Sequence, residues 1–165
     1  MVAFQIREVK NFMARLFQKE EFDHFAVREG QVQMAAGFQF NGHRSHNFYT
    51  EEELNALSEP DFLLWGELKS LVFAMIRGAK TPLLFTLVLQ LPGKKVEEIL
   101  KASGARLERK EIAGAYLNLK FQAGELTLVT GVGFCSFVMD KMFEREFDLW
   151  VRKFLQEQGI VFDEI

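Results

Sequence analysis

Strict alternation of apolar and polar residues is the feature that most constrains what this chain can fold into. Across residues 24–41, Val32, Phe38 and Phe40 share one side of the chain, and glutamines occupy the other side. Residues 117–132 repeat the pattern, with apolar residues opposite asparagine, lysine, glutamine and threonine. A period of two with one polar side is typical of antiparallel hairpins that bury one face. We therefore expect a mainly antiparallel sheet.

Glycine-containing turns divide the alternating stretches into strands. Turns are predicted at residues 29–30, 41–42 and 123–124, each of which ends in glycine. A further strand is predicted from residue 44 to 49. The nearly continuous apolar run over residues 83–91 predicts a central strand that is buried on both faces. Short strands are expected near both ends of the chain.

Four longer segments place apolar residues three and four positions apart, which is the spacing of a buried helix face. Helices are predicted over residues 8–17, 60–77, 94–103 and 141–158, with a short helix after the Thr50 capping box. The second helix is predicted to begin within Ser58-Glu-Pro-Asp61, with proline in its first turn. Strands and helices together predict an α+β fold, with a mainly antiparallel sheet and four main helices packed on it.

The two hairpins resemble one another, which raises the possibility of an internal repeat. Gly30 matches Gly124 and Gly37 matches Gly131 at one constant offset. A Phe-x-x-Trp pair follows each hairpin in the next helix. The sequence predicts a single domain over residues 1–165, with strand–helix–hairpin–helix halves at 1–80 and 81–165 as one interpretation. The alternative is that any such order of elements produces the same pattern.

Charge and cysteine content exclude several classes of protein. The chain has 20 Lys and Arg against 23 Asp and Glu, a net charge of −3. This lacks the basic character of a dedicated nucleic-acid binder, so nucleic acid is not favoured as a partner. Cys135 is the single cysteine, which rules out an intrachain disulfide and a cysteine-based zinc site. No apolar run is long enough to span a membrane, so we expect a soluble, cytoplasmic protein.

One polar cluster is a candidate binding site. Its residues are His43, Arg44, His46 and Tyr49. If this segment is a strand, the two histidines face opposite sides and cannot share a metal ion. If it is a loop, they could do so with a third ligand from Asp23, His24 or the glutamates at 51–53. The alternative is an exposed polar strand, and no metal or cofactor is predicted.

Three basic clusters are a candidate anion-binding strip. Their residues are Arg77, Lys80, Lys94, Lys95, Arg106, Arg109 and Lys110. If the loops that carry them share one edge of the fold, their combined field would attract a phosphate backbone. Glutamates lie among them at positions 97, 98, 108 and 111, so the alternative is an ordinary solvated surface.

Three segments resemble an uncharacterised bacterial family of similar length: residues 1–13, residues 48–53 and residues 77–85. The resemblance covers the whole chain and implies a single domain in a bacterial cytoplasm, but no catalytic residues. At the level of fold alone, the order of elements also resembles the domain plan of the processivity clamps on DNA. The helices at 60–77 and 141–158 depart from that plan, and the length matches one such unit.

Three functions remain open at this point. The first is a non-enzymatic cytoplasmic interaction protein, acting as a homo-oligomer or with a protein partner, and the 18 phenylalanines would supply an exposed apolar patch. The second is a clamp-like nucleic-acid accessory protein, which requires the basic clusters to converge. The third is a small hydrolase or metal-dependent enzyme built around His43 and His46.

Overall fold

The computed structural model describes residues 1–165 and arranges them around one seven-stranded sheet. The strands are β1 (Ala3–Ile6), β2 (Ala26–Gln33), β3 (Gly37–Asn41), β4 (Leu84–Gln90), β5 (Ile112–Gln122), β6 (Glu125–Phe134) and β7 (Phe162–Glu164). The helices are α1 (Val9–Gln18), α2 (Glu51–Ala56), α3 (Trp65–Ile76), α4 (Gly93–Ser103) and α5 (Met142–Glu157). The strand order is β3-β2-β4-β5-β6-β1-β7, and every neighbouring pair is antiparallel.

The alternation in the sequence becomes two chemically different faces of this sheet. One row across the five central strands is fully buried and consists of Val32, Phe85, Phe121, Leu126 and Ile6. The adjacent row points to the other side and consists of Gln31, Thr86, Lys120, Thr127 and Gln5. The four longer helices cover the apolar face and contribute their own phenylalanines and leucines to the same core. The predicted α+β fold with four main helices is confirmed.

The central strand differs from its prediction in one respect. Burial alternates along β4, where Phe85, Leu87 and Leu89 are buried and Thr86 and Val88 are partly exposed. The prediction that residues 83–91 are buried on both faces is therefore wrong. Helices cover only one face of the sheet, so even its central strand keeps one side toward solvent.

The predicted turn at residues 29–30 is also wrong. Strand β2 runs straight through Gly30, with a bulge between Val27 and Glu29, and the chain reverses only after Gln33. The glycine serves a different purpose, because a Cβ placed on Gly30 would lie 2.1 Å from the ring of Phe40. Gly30 lets that ring lie flat on the neighbouring strand.

The region between β3 and α3 departs most from expectation. The strand predicted over 44–49 is absent; the chain forms a single bridge at His43 and then a 3-10 helix over His46–Phe48. The helix predicted from residue 60 begins only at Trp65. The intervening segment is extended, because Leu63 donates its backbone N–H to Gly42 and accepts from the N–H of Val27. Pairing with two chain segments at once overrides the local helix-start signal.

Other local signals are confirmed. Thr50 and Glu53 form a reciprocal capping box at the start of α2. The turn between β5 and β6 holds Ala123 and Gly124 at positive φ. Gly104 ends α4 in the left-handed conformation, and Gly159 does so after α5. None of the helices has both the length and the apolar character needed to cross a membrane.

The two proposed halves occupy different places in the sheet. In the second half, β4 pairs with β5, and β5 pairs with β6. In the first half, β2 pairs with β3, but β1 lies far from them, between β6 and β7. The internal repeat stays a prediction.

Candidate functional site

Arg44 is the centre of the predicted polar cluster. It lies just beyond the end of β3, and its side chain is only 1% exposed. Its guanidinium donates two hydrogen bonds to Glu67, of 3.1 and 2.7 Å, and its Nε donates to the backbone oxygen of Glu59 at 2.8 Å. Nη1 also donates to the hydroxyl of Tyr49 at 3.1 Å. Every nitrogen of the buried guanidinium therefore has a partner within the protein.

The electrostatics of Arg44 point to a structural role. Burial by itself lowers the pKa of Arg44, but the hydrogen bonds and charges of Glu67 and Tyr49 outweigh it and raise the pKa above its ordinary value. Glu67 also accepts the backbone N–H of Leu64 at 2.7 Å and so caps α3. The Arg44–Glu67 pair ties the end of β3 to the start of α3, and four of the five N–H groups of the guanidinium are already donated within the protein.

The two histidines of the cluster are held by different partners. The ring of His43 lies 4.8 Å from the ring of Phe62, centroid to centroid. Arg28 lies over the same Phe62 ring, at 4.3 Å. His46 instead places Nε2 at 3.1 Å from the backbone oxygen of Pro60. The chain contains no group of three His, Cys, Asp or Glu side chains arranged to hold a metal ion.

The structure separates the predicted anion-binding strip into distant parts. Arg77 and Lys80 precede β4, whereas Lys94 and Lys95 follow it. A strand of this length spans about 23 Å, so these two clusters lie at opposite ends of the sheet. These two basic clusters therefore do not form one continuous anion-binding surface.

The third basic cluster is drawn into local contacts. Arg109 lies beside Gly93 at the start of α4 and donates to the backbone oxygen of Ile112 at 2.7 Å. Lys110 pairs with Glu108 at 2.9 Å. The backbone N–H of Arg106 donates to Asp140, at the start of α5. Only part of the cluster therefore joins the lysines at the start of α4.

Those lysines line a cleft of about 460 Å³ between α4 and α5. Lys95 pairs with Glu98 at 2.6 Å and lies 5.9 Å from the centre of the Trp150 ring. Lys153, on the facing helix, lies 3.8 Å from Glu157. Since two of its lysines each have a carboxylate partner, the cleft presents little net positive charge.

A different surface, the outer edge of β3, stands out once the sheet order is known. No Asp, Glu, Lys or Arg occurs between Glu29 and Arg44. Phe38 is 43% exposed, although it lies on the core face of the sheet, opposite Val32. This edge carries no charge, no proline and no bulge, which are the features that usually protect an exposed strand.

The hydrogen-bonding direction of β3 follows from its register. Gly42 donates inward to the backbone oxygen of Arg28. In an antiparallel pair, successive residues point their backbone groups to alternate sides. Phe38 and Phe40 therefore bond to β2, and the N–H and C=O groups of Gly37, Gln39 and Asn41 point outward. Three residues thus offer six unpaired backbone groups along one edge.

Helix α3 packs on β2, the strand next to β3, and adds exposed apolar surface on that side of the sheet. Its last six residues, 71–76, are all apolar, whereas a surface helix normally has one polar face. Leu71 lies one turn after Glu67 on the same side of the helix, and Glu67 points toward Arg44 at the end of β3. Leu71 is 60% exposed. The surface that we call the β3 edge comprises β3 and Leu71.

The sequence contains one signal for the β3 edge that is independent of the alternation of residues. A run of thirteen residues without charge, residues 30–42, can be read directly from the sequence. That run predicts an exposed edge only if its strand lies at the margin of the sheet. Strand order depends on long-range pairing, and the alternation of residues carries no information about it.

Comparison with known proteins gives a family and no activity. A search of curated proteins and a search of solved structures each returned no match. A family model matches residues 15–163, which is nearly the whole chain and includes β3, α3 and the Arg44 cluster. The chain belongs to DUF5721, a family of unknown function.

Proposed function

We propose that this chain is a non-enzymatic interaction protein that binds a polypeptide partner through the β3 edge. The observation that carries the proposal is an uncharged, unprotected edge strand whose outward backbone groups have no partner. An extended segment of another polypeptide would satisfy those groups by adding one strand to the sheet. Phe38 and Leu71 would lose their exposure to water in the same step.

The energetics favour binding of a partner at this edge. The exposed ring of Phe38 and the side chain of Leu71 gain free energy when they leave water. Exposed, uncharged strands normally carry the risk of unwanted association, which proteins counter with charge. A strand that lacks such protection is best explained by a partner that covers it.

The other two hypotheses find less support. A clamp-like nucleic-acid accessory protein needs a continuous basic surface, whereas Arg77 and Lys80 lie a full strand length from the lysines of α4. An enzyme around His43 and His46 needs both rings at one reacting centre, whereas each ring has its own protein partner. The bacterial cytoplasm remains the proposed location, and the exposed free thiol of Cys135 is compatible with a reducing compartment.

Site-specific photo-crosslinking tests the proposal. A benzophenone amino acid replaces Gln39 on the β3 edge or, as a control, Val161 next to β7, which is also exposed. Irradiation of the purified chain and of a lysate of the cells that make it should give a discrete adduct from position 39 and none from position 161. Mass spectrometry then identifies the partner. Equal diffuse labelling from both positions, or no adduct from position 39, would refute the proposal.

A further inference from the structure

We infer that the partner of the β3 edge is a second copy of this chain, paired antiparallel across a two-fold axis that passes through Gln39. This inference rests on the proposed function and specifies its partner. The resulting dimer would join two seven-stranded sheets into one continuous sheet. Two-fold dimers are by far the commonest symmetric assemblies, and their interface must be self-complementary.

The backbone of β3 meets that requirement. With the axis at Gln39, the outward groups of Gln39 face those of Gln39 in the other copy. Gly37 then faces Asn41 of the other copy, and Asn41 faces its Gly37. All six outward backbone groups of each strand find partners, and all five residues of β3 overlap. Registers shifted by two residues leave outward groups of the strand ends unpaired.

The side chains are symmetric about the same residue. Phe38 and Phe40 flank Gln39 on the core side of the sheet. In the centred register each Phe38 lies directly opposite Phe40 of the other copy, so the interface contains two aromatic cross-strand pairs. Such pairs stabilise antiparallel strands. On the opposite face, the two Gln39 amides meet and can exchange hydrogen bonds.

Charge favours a second copy over a pairing of β3 with β7. Because residues 30–42 carry no charge, two copies of β3 meet without any like-charge contact. Strand β7 is only three residues long, and two of these are Asp163 and Glu164. A head-to-tail assembly through β7 would place those carboxylates against an uncharged strand and would leave part of β3 uncovered.

The helices complete the interface on the core side. Helix α3 packs over β2, so one α3 from each copy would flank the joined β3 strands. Neighbouring strands are about 4.8 Å apart, which places the two β2 strands about 14 Å from one another. The four phenylalanine rings would fill the space between the two helices. Each Leu71 is 60% exposed and lies on the side of α3 that carries Glu67.

Sedimentation equilibrium on the full chain tests the inference. The wild-type chain should sediment as a dimer at micromolar concentration. Gln39→Lys and Gln39→Glu should each be monomers, because like charges would meet at the two-fold axis. An equal mixture of the two variants should form a dimer again, because the axis then brings opposite charges together. Gln122→Lys, on an exposed strand position away from the β3 edge, should leave the wild-type dimer unchanged.

Three results would overturn the inference: a monomeric wild type, a dimer that Gln39→Lys does not weaken at least tenfold, or a mixture of the two variants that stays monomeric. Thermal unfolding of each monomeric variant, followed by circular dichroism, checks that it is folded. If the wild type is monomeric but position 39 crosslinks to another protein, the inference fails and the proposed function stands. If position 39 yields no adduct at all, both fail.

Discussion

The two edges of the sheet are built in opposite ways. Strand β7 is three residues long, and its acidic residues are engaged: Asp163 pairs with Arg7, and Glu164 pairs with Arg152. Strand β3 is five residues long, carries no charge and leaves Phe38 partly exposed. Charge and short length are the usual means of preventing strand addition. The difference indicates that this chain protects one edge and leaves the other available.

A bidentate Arg–Glu pair stands next to each edge, and the two pairs differ in burial. Arg152 donates two hydrogen bonds to Glu164, and both side chains are partly exposed. Arg44 makes the same bidentate contact with Glu67, but its own side chain is buried. The exposed pair joins α5 to the end of β7, whereas the buried pair anchors the chain segment that follows β3. The β3 edge is therefore open to solvent yet firmly attached.

Substituting one glycine next to each edge should give the largest difference in the free energy of unfolding. In Gly42→Ala, the new Cβ would lie 2.0 Å from the backbone oxygen of Val27, so the end of β3 must move away from β2. We expect a loss of about 3 kcal/mol in the free energy of unfolding. In Gly159→Ala, before β7, the new Cβ meets no backbone atom. Only the positive φ of this residue destabilises the variant, by about 1 kcal/mol. Urea denaturation measures both, and equal losses would contradict this account of the β3 attachment.

Replacing Arg44 or Arg152 with alanine should give the next largest difference in the free energy of unfolding. Arg44→Ala removes the buried partner of Glu67 and frees the segment after β3; because Glu67 is 41% exposed and stays solvated, the expected loss is about 2 kcal/mol. Arg152→Ala removes an exposed pair, and the expected loss is below about 1 kcal/mol. Glu67→Gln distinguishes the lost charge from the lost hydrogen bonds. If Arg44→Ala costs no more than Arg152→Ala, Arg44 does not anchor this region.

Neutralising the two acidic residues of β7 should have the smallest effect on stability. It should, however, clearly increase association between copies of the chain. The double variant Asp163→Asn and Glu164→Gln loses exposed ion pairs, at a cost of about 1 kcal/mol or less. Without those charges, the second edge also becomes available for strand pairing. Light scattering at rising concentration should then detect assemblies larger than a dimer. If the variant behaves like wild type, charge is not what protects β7.

The sequence was sufficient to predict the parts of the fold that depend on short-range pattern. The second hairpin, the Thr50 capping box and the last helix all follow from spacing of a few residues. The helix prediction fails at residues 58–64 because this segment pairs with two distant segments, and no local signal reports that pairing. The turn prediction at Gly30 fails because the residue that requires a glycine there, Phe40, lies on the next strand.

The candidate site was predictable only in part. His43, Arg44, His46 and Tyr49 do lie in one region, but Arg44 is occupied by Glu67, which lies 23 positions away in the sequence. The β3 edge was not predicted, because its exposure depends on the order of strands in the sheet. Strand order is decided by the global packing of helices on one face, which the alternation of residues does not encode.

Residue-resolved amide hydrogen exchange at two protein concentrations tests the central claim most directly. At low concentration, the amides of Phe38 and Phe40 should be protected by β2, and those of Gly37, Gln39 and Asn41 should exchange quickly. At high concentration, these three outward amides should become protected, while exchange near β7 stays unchanged. The account is contradicted if the three outward amides exchange quickly at every concentration, or if the concentration-dependent protection appears at β7 instead.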